Sequence, residues 1–76
     1  MVKIPLTQQI ASVRREIDMR RKVYPGLISR SKMRQSEADL ELWSMEAALR
    51  TLEWLERNRE ALRRAVETGA VEQPPL

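Results

Sequence analysis

The sequence contains no cysteine, no histidine and no phenylalanine, and only two glycines in 76 residues. Without Cys no disulfide can staple so small a domain, and without Cys or His the usual zinc, haem and iron-sulfur ligand sets are missing. The same absences remove the thiol and imidazole groups from which the common nucleophilic dyads and triads are built. Two glycines are too few for a loop that cradles phosphate. Glu37, Asp39, Glu41 and Glu46 form an acidic cluster, but only Glu37 and Glu41 are spaced as a helical pair. It reads as a solvated face near a helix N-terminus, where negative charge is favourable. The expectation is a protein that is not an enzyme and holds no cofactor or metal.

Long apolar runs are also lacking. None approaches the roughly 20 residues of a membrane span, and "MVKIPLTQQI" turns polar after Leu6, too early for a secretory h-region. This points to a soluble, cytoplasmic protein. Tyr24, Trp43 and Trp54 are the only aromatics, so aliphatic side chains and Met must fill the core, as they do between helices. A chain this short buries too little surface to be stable by a wide margin, and with staples excluded the remaining supplement is self-association.

What is present is helical periodicity. Leu6, Ile10, Val13, Ile17, Arg20 and Tyr24 follow steps of four and three, one seam of an amphipathic helix. Arg20 is the polar member, expected to lay its stem along the seam and to deliver its guanidinium to an acid on a facing helix. Thr7 is a candidate N-cap, and Pro25 with Gly26 should end or kink this helix. Ala38, Leu42, Met45, Leu49 and Leu52 repeat the pattern, and Gly69 suits the position just after a helix C-terminus. The predicted architecture is all-α: an antiparallel two-helix hairpin over residues 1–69. Helix 1 covers about 7–24, a linker 25–34 with Ser29 or Ser31 capping the second helix, helix 2 about 35–68, and a disordered tail 70–76.

These lengths are unequal, roughly 27 Å for helix 1 and roughly 50 Å for helix 2. The excess would carry Leu55, Ala61, Leu62, Ala65 and Val66 beyond the reach of helix 1. Either a second protomer covers that stripe, or the chain breaks near Asn58 and its last segment folds back as a third helix. The first is favoured, because "LERNREALRR" lacks Gly and Pro. Trp43 and Trp54, eleven residues apart, share a side of helix 2 roughly 150° from the seam. They read as the core of a homodimeric bundle, as a contact for a different protein, or as both.

Charge is divided along the chain. Residues 1–35 hold nine Lys or Arg against two acids, and residues 36–76 hold five against nine. The stretch "MRRKVYPGLISRSKMR" supplies Arg20, Arg21, Lys22, Arg30, Lys32 and Arg34 with no acid among them. It reads first as a solvated, partly ion-paired corner that steers or rims a protein contact. The rival is a nucleic-acid-binding module over residues 14–34, weakened by the spread of the cations around helix 1 and by the shortage of stacking aromatics.

Residues 6–55 resemble a widespread family of short helical-hairpin proteins of temperate phages and prophages. The resemblance lies in "LTQQIASVRREIDMRRKVYP", a short linker ending in "KM", and "ADLELWSMEAALRTLEWL", with Ser31 standing where a Gly is common and helix 2 extended. It implies an accessory protein in the cytoplasm of a bacterial host that binds and modulates or inhibits a host protein; the residues themselves add the expectation that it is non-enzymatic and a homodimer. Trp43, Trp54, Leu55 and Leu62 are the candidate apolar contacts, and the six cations named above are the candidate charged ones.

Overall fold

The computed structural model describes residues 2–70, which form three helices: α1 (Leu6–Ser29), α2 (Gln35–Arg57) and α3 (Arg59–Glu67). α1 and α2 pack as an antiparallel hairpin, as the seams predict, and there is no strand among the described residues. Among the described residues, Ile10, Ile17 and Ala38 are the buried side chains of its core. Val13, Tyr24, Leu42, Met45, Leu49 and Leu52 are half-buried around them.

Helix 1 departs from expectation at both ends. It starts at Leu6 with Pro5 in the N-cap position and no side-chain cap, so Thr7 does not cap it. It also passes through Pro25 to Ser29, five residues beyond the expected end. Pro25 cannot donate to the Arg21 carbonyl, but both residues are exposed, so water can take the vacant bond. In return, the extra turn lets Tyr24, Pro25 and Ile28 line one groove with Ala38 and Leu42.

The turn shows why α1 stops at Ser29. Lys32 N–H donates to the Leu27 carbonyl (2.8 Å) and Ser31 N–H to the Ile28 carbonyl (3.0 Å). This is a Schellman motif with Ser31 in the left-handed position at φ 56°. Ser31 therefore terminates α1 rather than capping α2, whose N-cap is Arg34. Glycine tolerates that conformation better than serine, so Ser31→Gly is expected to stabilise the protein by about 0.5–1 kcal/mol, seen as a higher midpoint in a far-UV thermal melt. Gly69 (φ 79°) closes α3 in the same way, with Ala70 N–H on the Ala65 carbonyl at 2.9 Å.

The single long second helix is corrected too. The chain breaks at Asn58 (φ −106°, ψ 13°), where the side-chain amide donates to the Trp54 carbonyl (2.8 Å) alongside the Asn58 backbone N–H (3.0 Å). Such local competition for a carbonyl is how Asn disturbs helices. Yet α3 does not fold back: it contacts α2 and not α1, and the longest molecular dimension is 54 Å. Because α1 is longer than expected, α1 and α2 match in length and α3 alone overhangs. The expected tail lies, apart from Ala70, outside the described residues.

The result is a thin molecule. Its accessible surface is 6352 Å², whereas compact monomers of 8.9 kDa expose about 4,800 Å² by mass scaling.

Candidate functional site

With the seam of α2 committed to α1, the opposite side of α2 faces water. Leu40, Trp43 and Trp54 point within about 40° of the Ala47 direction on that side. Leu40 is 65%, Trp43 63% and Trp54 48% exposed. Ala47, Arg50 and Thr51 line a shallow depression against the Trp54 indole. The result is a stripe of large apolar side chains about four turns long with a small residue at its centre. Scattered apolar side chains on a surface are ordinary, but contiguous ones mark an interaction site.

Leu55 and Leu62, which the sequence places together in one overhang, separate in the structure. The Arg14–Glu53 ion pair (2.7 Å) fixes the register so that two further turns of α1 run beside the end of α2. Leu55 thus lies within the length of the hairpin. Leu62 is on α3, half-buried together with Ala65 and Val66. Met19 and Val23, absent from the sequence-based candidates, are 52% and 47% exposed on α1. Their i,i+4 spacing was the available signal.

Part of the basic segment is engaged by the protein's own acids. Arg14, Arg20 and Arg21 on α1 reach Glu53, Glu41 and Glu46 on α2. Arg20 is the hub: it donates to Glu41 (2.9 Å), Glu16 (3.0 Å) and Tyr24 Oη (3.3 Å). The Glu16 hydrogen bond raises the already high pKa of this guanidinium, against a smaller opposing effect of desolvation. Arg34 lies 4.0 Å from Glu37. These pairs are solvated and screened, so they set register more than stability. Among the described residues, Lys22, Arg30 and Lys32 form no ion pair and remain available to a ligand.

Lys22 on α1 and Arg30 and Lys32 at the turn give weak electrostatic attraction to phosphate. Mobility shift with random duplex and single strands at about 150 mM salt should show binding no tighter than the usual non-specific range of about 10⁻⁴–10⁻⁶ M. Nanomolar, salt-sensitive binding lost in Arg30→Glu with Lys32→Glu would instead promote the nucleic-acid reading.

No group of three or more acids that could hold a metal ion is gathered among the described residues, and none of their helices is long and apolar enough to cross a membrane. No protein-family model matches the chain, and no curated protein or solved structure matches it. The phage-family resemblance therefore stands on the quoted residues alone.

Proposed function

We propose that the protein is a non-enzymatic binding module: a homodimer of helical hairpins that engages another protein and alters its activity. The observation that supports it most is the pair of indoles, 63% and 48% exposed, on one face of α2. Trp is enriched among the residues that dominate binding energy, usually at the centre of a desolvated patch. Self-association takes the outer face of α2. That leaves α3 with Leu62 as the apolar contact for a target, while Arg30 and Lys32, at the opposite end of the hairpin, and Lys22 on α1 offer a separate cationic contact to an acidic part of the same target. In the setting the sequence resemblance implies, the target is a bacterial host factor, modulated or inhibited by stoichiometric binding in the host cytoplasm.

The test is affinity capture from host lysate followed by titration of the purified captured protein. Leu62→Asp should abolish the interaction, and Lys32→Glu should weaken it in proportion to its salt dependence. A captured protein indifferent to both changes would place the contact elsewhere. Capture of nothing at near-physiological salt would contradict the binding role.

A further inference from the structure

The outer face of α2 carries enough pattern to give the proposed homodimer a geometry, an inference that rests on the homodimer reading. We propose that two copies pack through the outer faces of α2 in antiparallel orientation, about a two-fold axis passing beside Ala47.

The spacing of the stripe is symmetric about that residue. Leu40 and Trp54 lie seven positions to either side of Ala47, about 10.5 Å each way along the helix. Trp43 and Thr51 lie four positions to either side. A two-fold axis at the midpoint sets each position before Ala47 against the matching position after it on the second copy. Each Trp54 then covers a Leu40, each Trp43 meets a Thr51, and the small Ala47 side chains let the backbones approach at the crossing. A parallel, in-register pair would stack Trp on Trp and Leu on Leu.

Charge complementarity supports the same orientation. One edge of the stripe carries Asp39 and Glu46 in its first half and Arg50 and Arg57 in its second half. Antiparallel packing about a two-fold brings this edge against itself. Asp39 then comes within reach of Arg57 of the partner subunit at two points, each pair centred one residue past Ala47, an offset of about 3 Å along the helix that the Arg stem spans. Glu46, already held by Arg21 of its own chain, lies beside Arg50 of the partner subunit. Neither Arg50 nor Arg57 forms an ion pair within its own chain among the described residues. The Asp39 carboxylate receives only the Gln35 amide at 2.9 Å. An edge bearing both signs in this order suits a second copy better than a polyanion or a uniformly acidic protein.

The area is also adequate. The exposed parts of Leu40, Trp43 and Trp54 supply on the order of 400 Å² per protomer, judged from the size of buried aromatics. That is about half of the ~800 Å² each partner gives to a standard interface, before Thr51 and the stems of Arg50 and Arg57 are added.

A charge exchange measured by sedimentation equilibrium tests the arrangement. Arg57→Glu alone and Asp39→Lys alone should each raise the dimer dissociation constant about tenfold or more, because each places like charges together at two points. Mixing the two single variants should restore tight association as a heterodimer, since acid again meets base at both points. The double variant should also recover. Rescue on mixing requires that both chains are folded, so misfolding cannot imitate it. Wild-type association with no rescue in the mixture, or with neither single variant weakened, would overturn the antiparallel register while leaving the dimer standing. A wild-type chain that stays monomeric would overturn the homodimer reading itself.

Discussion

Replacing Ile17 by Ala is expected to destabilise the protein by about 2–4 kcal/mol, enough to leave most of the chain unfolded at 25 °C. Ile17 is 3% exposed and is one of three fully buried side chains, with Ile10 and Ala38, among the described residues. Small domains have only a few kcal/mol in hand, and with so few buried residues no other part of the seam can absorb the loss. The Arg14–Glu53, Arg20–Glu41 and Arg21–Glu46 pairs cannot compensate, being at least partly solvated. Far-UV melts and denaturant titrations read the effect directly, with Ile17→Val as a control expected at about 0.5–1.5 kcal/mol. A loss below about 1 kcal/mol for Ile17→Ala would mean that the α1–α2 seam is not what holds the fold.

The second large effect is on association. Trp43→Ala and Trp54→Ala should leave the helical content of the hairpin nearly unchanged, because both indoles point away from the seam. Each should nevertheless weaken the dimer. Truncating a Trp at the centre of an interface commonly costs about 2 kcal/mol or more, and in a two-fold dimer every substitution acts twice. The dissociation constant should therefore rise on the order of 10²-fold or more. Each variant retains one indole as a reporter, whose emission should move from blue-shifted toward that of free indole in water as the protein is diluted. Unchanged association in both variants would remove the outer face of α2 from the interface.

The seams were legible from the sequence because they are a consequence of burial on a 3.6-residue helix, and steps of four and three record it directly. Arg20 was legible for the same reason: a cation on an apolar seam must reach an acid across it, and Glu41 is there at 2.9 Å. The second face was legible in Trp43 and Trp54, since a hairpin buries only one side of each helix.

What the sequence hid depended on small or compensated energies. Pro25 normally ends a helix, but its penalty falls on an exposed carbonyl while Tyr24 and Ile28 gain packing against α2. Asn58 differs from better helix formers by only tenths of a kcal/mol, so "LERNREALRR" offered a break at Asn58 only as the less favoured alternative, the break arising from one side-chain amide on one carbonyl. The five-residue error in helix 1 made the overhang look longer than it is and placed Leu55 in it wrongly. The charged corner read as partly ion-paired, but the sequence could not say which carboxylates take part, because those that do lie 21 to 39 residues away along the chain.

All of this depends on one property: α2 carries apolar surface on two opposite sides, and α1 covers one of them. Sedimentation velocity of the wild-type chain from about 1 to 100 μM, with a thermal melt at each concentration, tests it most directly. The expected result is a helical species of twice the 8.9 kDa chain mass whose melting temperature rises with concentration. A fully helical, cooperatively melting 8.9 kDa species with a concentration-independent midpoint would contradict it.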